Sequence, residues 1–185
     1  KYNAEGWERF LKFHRGQIKE LCEKYQPDLL WFDGDWERHH TQWRMKELEQ
    51  DIRSWAPHIV INSRIGPYGD YDTPEQGIPI APPQREWEFC MTMNDTWGYQ
   101  PNDLNYKSDR QLIRYFTETI GTGGRLLLNI SPMADGNIPK IESSRLENMG
   151  SWIKDHQKAL KGTKAGLPPG HFYGSSTLSQ DEKTL

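Results

Sequence analysis

Hydrophobic positions first recur at helical spacing. Trp7, Phe10, Leu11, His14, Ile18, Leu21, Cys22 and Tyr25 fall three or four residues apart, which predicts an amphipathic helix over 4–25. Its polar face carries Glu8, Arg9, Lys12, Arg15 and Lys19, and Pro27 stops it. His14 lies on the apolar face and reads as a packed helix residue. The period then changes. Leu29-Leu-Trp-Phe32 is an unbroken apolar run between Pro27 and Gly34, which predicts a short strand over 28–33, buried on both faces. Met45, Leu48, Ile52 and Trp55 predict a second helix over 41–55 ended by Pro57, and His39-His40 reads as its solvated start. The β-branched run His58-Ile-Val-Ile-Asn62 predicts a second strand.

A loop with prolines at 67, 74, 79, 82 and 83 spans 66–85, and a loop this long inside a domain is usually functional. Glu86-Trp-Glu-Phe-Cys-Met91 alternates as a third strand, followed by an aromatic loop over 92–107. Ser108 and Gln111 form a capping-box pattern that opens a helix ended by Gly121, Gly123 and Gly124. Arg125-Leu-Leu-Leu-Asn-Ile130 is the fourth strand, and a last helix covers about 141–159. Residues 160–185 are polar, with Gly and Pro, and read as a connector.

Strands that alternate with helices call for a parallel α/β sheet with right-handed crossovers. Two closures are open: a doubly wound sheet, or part of a (β/α)₈ TIM-type barrel. A full barrel takes about 250 residues and eight strands, and this chain of 185 residues offers roughly half. Half a barrel leaves strand edges open. The chain therefore reads as a piece of a larger enzyme, with 1–160 part of a catalytic barrel and 161–185 a connector toward a missing C-terminal region. The opening Lys1-Tyr2-Asn3 reads as a truncated start.

Charge narrows the function classes. The net charge is −3 and the isoelectric point about 6.1, which leaves no electrostatic footprint for nucleic acid or an anionic membrane. Mean hydropathy is −0.90, and no apolar run is long enough for membrane insertion as a helix. Cys22 and Cys90 make neither a disulfide framework nor a metal site and read as buried thiols. The six histidines show no ligand spacing, and the 121–124 glycines follow a helix and precede a strand, the wrong order for a dinucleotide loop. No cofactor and no metal are expected. Eight Trp, eight Tyr and six Phe, many in loops, suit sugar faces or protein interfaces.

The strand ends and their loops supply Asp33, Asp35, Arg64, Glu75, Trp97 and Asn129. Two carboxylates on successive strand ends, with aromatics and one Arg, are the inventory for glycoside hydrolysis. Asp33 would stay ionised beside Arg64 or the Gly34 amide. Glu75 would sit under Pro-rich and aromatic cover and act as the proton donor. Structural ion pairs with Arg64 are the plain alternative.

Tyr25-Gln-Pro-Asp-Leu-Leu-Trp-Phe-Asp-Gly-Asp-Trp-Glu37 resembles the nucleophile segment of the α-L-fucosidases of glycoside hydrolase family 29. Asn62-Ser-Arg64, Gly69-Asp-Tyr-Asp-Thr-Pro-Glu-Gln76, Trp87-Glu-Phe-Cys-Met-Thr-Met-Asn-Asp-Thr-Trp-Gly-Tyr99 and Leu126-Leu-Leu-Asn-Ile-Ser-Pro-Met-Ala-Asp-Gly136 follow in the family's order. The resemblance implies a retaining exo-glycosidase that hydrolyses terminal α-L-fucose from fucosylated glycans. It implies Asp33 as nucleophile and Glu75 as acid/base, with Glu86 and Glu88 as rivals, and Trp31, Arg64 and Trp97 lining the fucose pocket. It favours a periplasmic, secreted or lysosomal location. The family's N-terminal barrel half and C-terminal β-sandwich have no counterpart here, so an inactive carbohydrate-binding homologue or fragment stands as the alternative.

Overall fold

The computed structural model describes residues 3–185. Lys1 and Tyr2, the first two residues of the expected segment 1–160 and of the start read as truncated, lie outside the described residues. The chain forms two units, residues 1–72 and 73–185, each built from βα pieces.

In the first unit, helix α1 (Ala4–Tyr25) forms as its period predicts. Asn3 caps it, its side-chain oxygen accepting from the Gly6 N–H at 2.9 Å. Strand β1 (Leu29–Leu30) pairs in parallel with β2 (Val60–Ile61), Leu29 beside Val60 and Leu30 beside Ile61. Between them lie a 3₁₀ turn (Asp35–Glu37), α2 (His40–Trp43) and α3 (Met45–Trp55). The single helix expected over 41–55 is thus two. Arg44, at φ +54, turns left-handed between them, and α2 is held against α1 where the Trp7 Nε1–H donates to the Gln42 carbonyl at 3.0 Å. His39 caps α2, as the solvated helix start predicts. Strand β3 (Arg64–Pro67) follows β2 directly. Ile18, Cys22, Met45, Leu48, Ile52, Ile59, Ile61 and Ile65 form the core.

Strand β1 is shorter than the 28–33 expected, and Leu29 and Val60 are exposed rather than buried on both faces. Asn62 gives the reason for the length. Its Oδ1 accepts from the Phe32 N–H at 2.8 Å and its Nδ2 donates to the Phe32 carbonyl at 2.9 Å. A side-chain amide thus replaces the next rung of the backbone ladder. Asp70 continues the stitching: its Oδ2 accepts from the Ile61 N–H at 2.7 Å and its N–H donates to the Ile61 carbonyl at 2.7 Å. Arg53 holds Asp70 in turn at 2.6 Å.

In the second unit, β4 (Glu88–Thr92) and β5 (Arg125–Asn129) pair in parallel from Glu88 beside Arg125 to Thr92 beside Asn129. Helix α4 (Asp109–Gly121) starts at a complete capping box between Ser108 and Gln111. Helices α5 (Lys140–Asp155) and α6 (Gln157–Leu160) replace the one helix expected over 141–159. Trp87, Phe89, Met91, Leu112 and Met149 form this unit's core. Residues 161–185, expected as a connector, contain β6 (Thr163–Ala165) and β7 (Thr177–Ser179), an antiparallel pair. The Gly166 N–H bonds the Gly121 carbonyl at the end of α4 at 2.9 Å, a contact with no trace in a polar, aperiodic stretch. Cys22 and Cys90 are both buried thiols.

Gly69 is required by space. A Cβ there would lie 2.2 Å from the Asn62 carbonyl oxygen. Gly16 lies in α1 with nothing within 4 Å of such a Cβ. Gly69→Ala is therefore expected to destabilise by about 1–3 kcal/mol, and Gly16→Ala to stabilise by about 0.5–1 kcal/mol. Urea unfolding of both variants checks the pair of opposite signs.

Candidate active site

The register of β1 and β2 determines what stands at their C-terminal ends. Leu30 and Ile61 are partners, and three residues beyond each come Asp33 and Arg64. Parallel strands deliver both to the same edge. There the Arg64 Nη1 donates to Asp33 Oδ1 at 2.8 Å. The Arg64 side chain is only 13% exposed and that of Asp33 is 60% exposed, so the cation is built into the wall and the carboxylate faces out. The guanidinium carbon lies 4.9 Å from the Trp31 ring centroid and 5.8 Å from that of Trp36, within cation–π range of both. Gly34, at φ +83, makes the turn that follows Asp33, a conformation open to glycine at no steric cost.

A small cleft beside Asp33 is lined by His14, Phe32, Asp35, Trp43, Met45 and Arg64. The His14 ring packs within 5.9 Å of Trp43 and stacks on Phe10 at 5.8 Å, so it is the packed helix residue that its position predicts. Burial first, and the neighbouring Arg15 charge second, push its pKa below the ordinary value.

The other expected site residues lie in the second unit. Pro74-Glu75-Gln76 runs beside β4: the Cys90 N–H donates to the Pro74 carbonyl and the Gln76 N–H to the Cys90 carbonyl, both at 2.9 Å, with Glu75 bridged to Cys90 in parallel. Glu75 is exposed, so the cover expected over it is not found here. Of its rivals, Glu86 pairs at the surface with Arg125 at 3.2 Å, and Glu88 opens β4. Trp97 is exposed, and the Asn129 Nδ2 at the end of β5 donates to its carbonyl at 2.7 Å. Beyond Asn129, Ser131 is held through its N–H at 2.8 Å and its hydroxyl at 2.9 Å by Glu142, which is wholly buried. Burial and the Glu142 charge raise the Tyr106 pKa. Sequence reasoning missed Glu142 and Trp36. A glutamate in the first turn of a helix looks like an ordinary dipole partner, and one more tryptophan in an aromatic-rich chain carries no distinguishing spacing.

The stretch that carries Asp33, Arg64 and Glu75 lies within residues 1–158, all matched by the model of a single family, described as alpha-L-fucosidase. The chain belongs to the α-L-fucosidase family. Among curated α-L-fucosidases, the one from Branchiostoma floridae is 32% identical over 160 residues, which are 80% of this chain and 36% of that protein. Among solved structures, α-L-fucosidase isoenzyme 1 from Paenibacillus thiaminolyticus is 30% identical with a TM-score of 0.83, covering 93% of this chain and 45% of that one. A GH29 α-L-fucosidase from Bacteroides thetaiotaomicron, trapped as a covalent intermediate with 2-fluoro-fucosyl fluoride, shares the fold at 24% identity with a TM-score of 0.85, covering 97% and 47%. The chain thus spans between about a third and a half of these α-L-fucosidases. Its fold matches part of their α/β architecture.

The lowered pKa of His14 has a sign for stability. The unfolded chain takes up a proton near pH 6.5, where the folded chain still holds the neutral ring. Stability should be fully present above that value and fall as pH drops through it toward the folded pKa. Denaturation midpoints between pH 5 and 7.5 should therefore rise with pH, and His14→Phe should flatten the rise.

Proposed function

We propose that this chain carries the nucleophile-bearing part of a retaining exo-α-L-fucosidase acting on fucosylated glycans. In this reading its (β/α) pieces are about half of a (β/α)₈ barrel, with 161–185 leading on to a further region. What carries the reading is the Arg64–Asp33 contact of 2.8 Å at the C-terminal edge of two parallel strands, with Trp31 alongside. An arginine cannot lose its proton at neutral pH, so Asp33 always faces a cation.

Asp33 attacks the anomeric carbon of fucose while the bond to the leaving oxygen breaks, and Glu75 gives that oxygen its proton. Glu75 then takes a proton from water, which attacks the same carbon and releases Asp33. Trp31 and Trp97 offer flat apolar rings to the sugar, and Arg64 holds a sugar oxygen as well as Asp33.

The exposure of Glu75 favours a second reading, in which the chain binds fucose without turning it over. A proton donor at neutral pH is usually desolvated. Under this reading, fucose binds and Glu75→Gln changes no rate.

Incubation with 2-fluoro-fucosyl fluoride followed by intact mass and peptide mapping separates the two. The fluorine slows hydrolysis of the glycosyl-enzyme, so the first reading expects one fucosyl adduct, on Asp33. An adduct elsewhere removes Asp33 from the nucleophile role. Asp33→Gly is expected to abolish turnover, with stability changed by less than about 2 kcal/mol, and azide should restore a glycosyl azide product. Turnover unchanged in that variant would sink the assignment.

A further inference from the structure

We infer that Gln76 is a positioning residue: its side-chain amide stands in for a strand rung against Thr92 and so fixes the backbone of Glu75 alongside β4. The inference rests on the reading of Glu75 given above.

The segment Pro74-Glu75-Gln76 pairs with β4 on both sides of Glu75, through the Cys90 N–H to the Pro74 carbonyl and the Gln76 N–H to the Cys90 carbonyl. Backbone groups two residues apart on a strand face the same edge. In a parallel ladder the next rung would therefore run from the Thr92 N–H to the Gln76 carbonyl. The chain turns away before that rung forms. Gln76 sits at φ +59, and the Gly77 N–H folds back onto the Glu75 carbonyl at 2.8 Å. A three-residue turn with positive φ at its centre is rare and strained. The Gln76 side chain supplies what the turn removes. Its Oε1 accepts from the Thr92 N–H at 3.4 Å, and its Nε2 donates to the Thr92 hydroxyl oxygen at 3.2 Å. That hydroxyl donates in turn to the Asn94 carbonyl.

Thr92 is wholly buried, and a buried N–H left without an acceptor is costly. Glycine would take the turn conformation at no steric cost, but it carries no amide. A glutamine held left-handed at this point is thus explained by its side chain. The last rung of a ladder is the one that frays first. The amide adds a rung beyond Glu75, so Glu75 lies inside the pairing and not at its end. The same device appears in the first unit, where the Asn62 amide bonds the backbone of Phe32.

The test uses Gln76→Gly, which relieves the turn and deletes the amide, and Gln76→Met, which keeps the length and deletes only the polar atoms. Residue 76 is exposed, so both variants should fold. In amide hydrogen exchange, the Thr92 and Cys90 N–H groups should exchange about three- to tenfold faster in both, the range of one lost hydrogen bond. Met91, paired with Leu128, should hold its rate. Unchanged exchange at Thr92, or faster exchange at Thr92 with Cys90 unchanged, would overturn the proposal. In the second arm, kcat/KM is compared for two fucosides. Phenyl α-L-fucoside has a poor leaving group that needs the proton from Glu75, and 2-chloro-4-nitrophenyl α-L-fucoside has one that leaves without it. Both variants should lose about three- to tenfold on the first and less than about twofold on the second. An equal loss on both would mark a general disturbance of the site and overturn the proposal. If the parent chain turns over neither fucoside, the failure belongs to the fucosidase reading, and the exchange rates alone decide whether Gln76 fixes the backbone of Glu75.

Discussion

The side-chain amide of Asn62 is the contact on which the first unit depends. It bonds both backbone groups of Phe32 at the point where β1 and β2 stop pairing through their own backbones. Asn62 is fully buried, so an unpaired backbone group there would carry a penalty of about 1–3 kcal/mol. With the rung in place, the register continues past the strands and Asp33 arrives opposite Arg64. Gly69 exists because the chain passes against the Asn62 carbonyl, and Asp70 exists because the Ile61 backbone needs a partner. Strand pairing, loop path and candidate nucleophile all follow from one buried amide.

The second unit reaches a similar end by other means. Glu142, buried and without exposure, takes the Ser131 N–H and hydroxyl and so fixes the chain just beyond β5. Asn129 holds the carbonyl of Trp97. In both units the secondary structure ends early and polar side chains carry the backbone onward. That is a common way to place reactive groups on loops without losing definition, since the loops themselves contribute little packing.

Much of this was legible in the chain. The helix over 4–25 and the capping box at Ser108 have local causes, a period and a pair of side chains, and both stand as read. The neighbour of Asp33 was legible only as a choice between Arg64 and the Gly34 amide, and the structure shows the Arg64 contact. The two helix breaks were not legible. Arg44 turns left-handed without glycine or proline to announce it, and only the seating of α2 against Trp7 explains the turn. The β6–β7 pair was equally hidden, because short strands stabilised by docking on the end of α4 need no hydrophobic alternation of their own.

The amino-acid sequence by itself determined the order of βα pieces, the family, and the residue types at the strand ends. These rest on periodicity, capping and motif order, all of which act over a few neighbouring residues. Tertiary structure decided the rest. It replaced a strand rung by Asn62, exposed Leu29, Val60 and Glu75, and brought Trp36 to Arg64 across 28 positions of chain. Such contacts depend on which surfaces meet, and no local pattern encodes that meeting.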